Sequence, residues 1–200
     1  FERANGRGGF QGVKTYGYRG GQFIGPSSVI GVLASEGEGE SDAVLIAAPD
    51  GSSLGAARTF TTQPLKSSVR IPPREANASE VQNALDMVRN ILRSRQVPQS
   101  AWPRIIKSTR IKPVQVSTDM EILVIRTPAI EIGEKALDFF LIAERKGTEY
   151  RLKMSRLHWG GLTCKQDFDL FDHADLDSDG TDELIYSVYG WEWWRYWIIH

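Results

Sequence analysis

Short apolar runs separated by glycine-rich and acidic breaks dominate the chain. Val29-Ile30-Gly31-Val32-Leu33-Ala34 and Ala43-Val44-Leu45-Ile46-Ala47 have the length and β-branched content of strands. The stretch Glu36-Gly37-Glu38-Gly39-Glu40-Ser41-Asp42 between them reads as a solvated loop, and Pro49-Asp50-Gly51-Ser52 as a turn. A third strand is predicted within Ala56 to Thr62, completing an antiparallel meander. One segment changes period. Val81, Ala84, Leu85, Val88, Ile91 and Leu92 recur at helical spacing, which predicts an amphipathic helix from about Glu80 to Arg95. Ser79 with Gln82 is its predicted capping box, and Pro98 helps to stop it. Glu121 to Arg126 returns to strand character. Leu137 to Glu144 and Glu149 to Leu157 flank Arg145-Lys146-Gly147-Thr148 as a hairpin. Tyr150, Leu152 and Met154 alternate there with Arg151, Lys153 and Ser155, as in a half-solvated strand. The fold class is therefore α+β, a largely antiparallel sheet with one amphipathic helix (about 80–95) packed on it.

The ends of the chain depart from this pattern. Residues 1–26 are rich in Gly, Arg and aromatics, including Arg7-Gly8-Gly9-Phe10 and Arg19-Gly20-Gly21. Such RGG-like pieces can bind RNA by charge and stacking, but two units without a longer array favour a flexible arm, with residues 27–200 as a single α+β domain. A chain of 200 residues with 41% hydrophobic content suffices for one core. A net charge of -1 and a pI near 6.4 give no global attraction to nucleic acid or anionic membrane. No apolar run approaches the roughly 18 residues of a transmembrane helix. The single Cys164 excludes an internal disulfide and a cysteine-based zinc cage.

The densest chemistry lies at residues 175–183, Asp-Leu-Asp-Ser-Asp-Gly-Thr-Asp-Glu. Asp175, Asp177, Asp179 and Glu183 can point inward around one centre, with Gly180 permitting the sharp turn. The Thr181 backbone carbonyl supplies a further oxygen. Calcium suits such a set, because it takes roughly six to eight hard oxygen ligands in a loose geometry. An EF-hand would need a bidentate Glu at position twelve of the loop, and that position is Tyr186. The loop runs straight into Leu184-Ile185-Tyr186-Ser187-Val188-Tyr189, a predicted strand. This D-x-D-x-D-G-x-x-E pattern before an apolar strand resembles the calcium loops of FG-GAP and VCBS-type repeats. Those repeats build integrin-like propellers and occur in many bacterial extracytoplasmic proteins. Only one copy stands here, so the resemblance implies loop chemistry for Asp175, Asp177, Asp179, Thr181 and Glu183. It also implies an extracytoplasmic location (periplasmic, secreted or envelope-associated), where calcium is abundant.

The C-terminal run Tyr189-Gly190-Trp191-Glu192-Trp193-Trp194-Arg195-Tyr196-Trp197-Ile198-Ile199 is apolar on both faces as a strand. Trp193, Arg195 and Trp197 share one face, and Trp194, Tyr196 and Ile198 the other. Three readings fit: a covered core strand, a surface for a protein partner, or a sugar platform of stacked indoles. An enzyme would recruit Cys164 with His158 or His173, yet no thiol-enzyme signature surrounds Cys164. Asp167, Asp169 and Asp172 read as a polar approach to the acidic loop. The expected function is a non-catalytic calcium-binding interaction or accessory protein. Its protein partner is expected to bind the N-terminal arm or the C-terminal aromatic strand through Trp193, Trp197 and Arg195. A carbohydrate-binding module is the alternative, and a Cys164 hydrolase the third reading.

Overall fold

A computed structural model describes residues 14–19, 22–33, 43–47, 59–61, 65, 74–162, 166–177, 179–190 and 194–199, with side chains omitted at 22, 23, 28–33, 43–47, 59–61, 194 and 195. The chain divides into two compact units: Phe1–Ser68 with Asp172–Thr181, and Val69–Phe171 with Asp182–His200.

The first unit carries β1 (Lys14–Arg19), β2 (Gln22–Leu33), β3 (Ala43–Ala47) and β4 (Thr59–Thr61), in the order β3-β2-β1-β4. Its pairings are antiparallel, but β4 pairs with β1 and not with β3, so the three strands predicted from residues 29 to 62 are not a simple meander: β1 enters the sheet between β2 and β4. The flexible arm needs correcting, because β1 lies inside it and its boundary at residue 26 falls within β2. Thr15 and Ser27 are cross-strand partners, and their buried hydroxyls meet at 2.6 Å. The buried Tyr18 hydroxyl accepts the Leu65 N–H at 2.8 Å. Interspersed glycines conceal the alternation that makes this segment a strand. Residues 1–13 of the expected arm lie outside the described residues.

The second unit begins with α1 (Ala78–Ser94), a 3-10 turn (Gln99–Ala101) and α2 (Trp102–Ser108). It then forms the sheet β5-β6-β7-β8 from Arg110–Gln115, Glu121–Ile132, Lys135–Lys146 and Glu149–Gly161, all antiparallel. A three-stranded sheet in the order β11-β10-β9 comes from Asp167–Ala174 (β9), Glu183–Tyr189 (β10) and Trp194–Ile199 (β11), residues 172–174 of β9 being counted with the first unit. There are thus two α-helices among the described residues where one was expected. The Pro-containing connection after α1 hides α2, whose Pro103 sits in the first turn, a position that tolerates a missing N–H.

The capping box also moves. Asn77 Oδ1 accepts the N–H groups of Ser79 and Glu80, and Glu80 Oε2 accepts the Asn77 N–H at 2.8 Å. Gln82 instead donates to Asp86, one turn on. Glu80 does more than cap: it is nearly buried and ion-paired to Arg74, which also reaches Glu121. The one Tyr150 hydroxyl proton is shared between Glu121 Oε1 at 2.9 Å and Glu80 Oε1 at 3.2 Å. Arg74, chiefly, holds the Glu80 carboxyl down at about 2 against the cost of burial. That network fixes the N-terminus of α1 beside β6 and β8.

Strand β7 sets the layering, because it is buried on both faces over most of its length. Leu137, Phe139, Leu141 and Ala143 join one core with Ala84, Val88 and Leu92 of α1 and Leu123 and Ile125 of β6. Phe140 and Ile142 join a second core with Val124, Phe168, Leu184, Tyr186 and Val188. The two-residue period of a strand sends alternate side chains into the two cores. Each fully buried Phe or Leu contributes roughly 1.5–3 kcal/mol.

Candidate metal centre

The acidic loop is held at both ends by packing. Asp175 follows β9 directly, and Glu183 is the first residue of β10. Leu184, Tyr186 and Val188 of β10 are buried in the second core, and the Tyr186 ring stacks on Phe140 with centroids 5.2 Å apart. The Asp182 N–H donates to the Val116 carbonyl at 2.6 Å, tying the end of the loop to the turn between β5 and β6.

Within the loop, side-chain carboxylates fold the backbone. Asp177 Oδ1 accepts the Asp179 N–H, and Asp179 Oδ1 accepts the Thr181 N–H at 2.7 Å. The Gly180 N–H donates to Asp175 Oδ2 at 3.1 Å, across a backbone with φ of +95° at Gly180. That left-handed conformation strains any residue with a Cβ, so the glycine is required. Asp175, Asp177 and Glu183 each offer a carboxylate oxygen within 4.8 Å of the other two. Asp175 and Glu183 are each only 3% exposed, whereas Asp177 is exposed. The Asp175 Oδ1 atom is buried without a hydrogen-bond partner. A buried anionic oxygen left in that state is costly unless a cation or water satisfies it.

Three of the five predicted ligands are thus brought together. Asp179 lies outside this group, exposed and engaged with the Thr181 amide. The oxygen donors, their charge and the turn geometry suit a hard divalent cation.

The other predicted residues fall elsewhere. Trp193, Trp191 and Cys164 lie outside the described residues, as do the side chains of Trp194 and Arg195. Trp197 is 47% exposed, with Tyr196 at 44% and Ile198 at 54%, so the covered-core reading fails at these positions. The reason is topological: β11 pairs with β10 and stands at the edge of its sheet. His158 lies on β8 and His173 on β9. Asp167, Asp169 and Asp172 lie on β9, the strand that leads into the acidic loop. Asp169 pairs with Arg126 at 3.3 Å.

One group escaped the sequence reading. Asp138 is fully buried in β7, facing His158 of β8 in the strand register. Its Oδ2 accepts the Gln166 N–H at 3.3 Å, while its Oδ1, Asp167 Oδ1 and His158 Nε2 are buried without hydrogen-bond partners. Burial, opposed by the Gln166 N–H and reinforced by Asp167, pushes the Asp138 carboxyl up to about 7. An aspartate inside the apolar run Ala136 to Ala143 was the available signal.

No protein-family model matches the chain, and the comparisons with curated proteins and with solved structures return no match. Among the described residues, no helix is long and apolar enough to cross a membrane.

Asp138 generates a pH prediction. The folded chain keeps a proton that the unfolded chain loses above its ordinary value of 3.8, so this group's stabilising contribution falls as pH rises from about 4 to 7. Asp138→Asn is expected to flatten that decline, raising the melting temperature at pH 7.5 relative to the parent and changing it little at pH 4. Parallel melting profiles for the two proteins across this window would contradict the assignment.

Proposed function

We propose that the protein is a non-catalytic calcium-binding interaction module acting outside the cytoplasm, with the 175–183 loop as its metal centre and β11 as its docking edge. The observation that carries the reading is the Asp175, Asp177 and Glu183 group with its unpartnered, buried Asp175 Oδ1. Calcium accepts these three carboxylates and completes its shell with backbone carbonyl oxygen, Thr181 being the candidate, and water. The resemblance to FG-GAP and VCBS loops supports the same chemistry. Extracytoplasmic calcium keeps such a loop filled, which is the reason for the proposed location.

The docking part of the proposal rests on Tyr196, Trp197 and Ile198, three large exposed side chains on consecutive positions of an edge strand. An edge offers unpaired backbone groups as well as side chains, and Trp and Tyr are favoured anchors of protein interfaces. A sugar platform calls for a second flat ring beside Trp197 on the same face. Among the described side chains of β11, the neighbours Tyr196 and Ile198 alternate to the opposite face.

Calcium is expected to raise the melting temperature saturably. Binding only to the folded state stabilises it by about 2.7 kcal/mol at a free concentration of 100 times Kd. Asp175→Asn removes most of that response, and magnesium at equal concentration reproduces little of it, since it demands a tighter octahedron. Identical melting in calcium and in chelator would reject the metal reading. For β11, Trp197→Ser is expected to reduce capture of a protein partner from an envelope extract without lowering the calcium response. Capture unaffected by Trp197→Ser and by Tyr196→Ser would reject the docking edge.

A further inference from the structure

The second unit holds a pocket of about 380 Å³ whose walls include Arg110 and Lys112 of β5, Val124 and Arg126 of β6, and Asp169 and Leu170 of β9. Its charge is unusual for a sheet face. Arg110 and Arg126 are directly opposed in the antiparallel register, and Lys112 is opposed to Val124. Ile111 and Ile125, the next pair along, pack into the core with α1, so both arginines project from the other face. Directly opposed side chains in such a pair stand roughly 4.5–5.5 Å apart at Cβ, and like charges there destabilise the sheet.

Among the described residues, acids balance only part of this cluster. Arg126 Nη1 lies 3.3 Å from Asp169 Oδ1 and 3.3 Å from the Phe168 carbonyl. Arg74, also on the wall, is taken by Glu80 and Glu121. Glu75, the remaining acid of the wall, is exposed. Arg110 and Lys112 have no ion-pair partner among the described residues. Charges on an edge strand also discourage unwanted strand pairing. That role accounts for Lys112, but not for Arg126 on the inner strand β6 opposite Arg110.

We propose that this pocket binds a small molecule through a phosphoryl group. A tetrahedral dianion can accept forked hydrogen bonds from two guanidiniums while an ammonium adds a point charge, which relieves the Arg110–Arg126 repulsion. Val124 and Leu170 provide apolar wall for an organic remainder. The shared chemistry is the phosphoryl oxyanion, carried by an ester or by free phosphate.

The test is calorimetric titration of the full chain with glycerol 3-phosphate and with inorganic phosphate, at matched ionic strength against chloride. Saturable binding is expected, tighter for the ester if the apolar wall is used and equal for both if the free anion is the ligand. Arg110→Gln combined with Lys112→Gln should weaken binding by about tenfold or more, as loss of charge-assisted hydrogen bonds implies. Both positions are exposed and the Arg110–Arg126 repulsion is lost, so this variant should melt no lower than the parent, and Arg110→Lys, which keeps charge without the fork, should retain intermediate affinity. Absence of saturable binding by either probe, or binding undiminished in the double variant, would overturn the proposal.

Discussion

Crowding of negative charge at the start of β10 is the constraint on which the C-terminal part of the structure depends. Asp175, Asp177 and Glu183 bring carboxylate oxygens within 4.8 Å of one another, two of them on buried residues. At an effective dielectric near 20, two unit charges about 4 Å apart repel by about 4 kcal/mol. The loop has little freedom to relieve this. Glu183 is continuous with Leu184, Tyr186 and Val188, which the second core fixes, and the Asp182 amide is bound to Val116. Gly180 and the Asx-type bonds of Asp177 and Asp179 hold the rest of the turn. Under the proposed function, a hard divalent cation turns that repulsion into coordination and the loop into a fastening for the strand beside β11.

The same core has charged margins. Strand β7 divides its residues between two apolar clusters, so any polar residue in its alternation is buried by default. Asp138 is in that position and responds by holding its proton to near neutrality. Further along the same face, Arg126 turns to Asp169 and the Phe168 carbonyl, and the apolar contacts give way to a basic pocket. Raised aspartate pKa and basic pocket are therefore two consequences of charge placed at the limits of one apolar face.

Much of this was legible from residue pattern alone, where local signals and packing agree. The α1 stripe of Ala84, Val88 and Leu92 appears in the core, and the 145–148 turn closes β7 onto β8 with Gly147 at φ +66°. The acidic cluster was legible in part from spacing, since Asp175, Asp177 and Glu183 come together while Asp179 does not. Strand β1 was not, because glycines dilute its alternation and its partners lie across a turn. Strand β5 was missed because Pro113 and its charged neighbours obscure it. The cap of α1 was placed two residues late because Glu80 reads as a surface residue, when it is the buried partner of Arg74 and Tyr150. Asp138 and the Arg110–Arg126 pair required the register, since sequence distance says nothing about which residues face each other across strands.

The most direct test of the metal centre is an amide-resolved NMR titration with calcium. The largest saturable shifts are expected on the amides of Asp175 to Glu183, and the Gly180 amide, already bound to Asp175 Oδ2, is expected to exchange more slowly with solvent in the calcium form. Small shifts spread over acidic surface residues, with the Gly180 amide unchanged at saturating calcium, would contradict the metal centre.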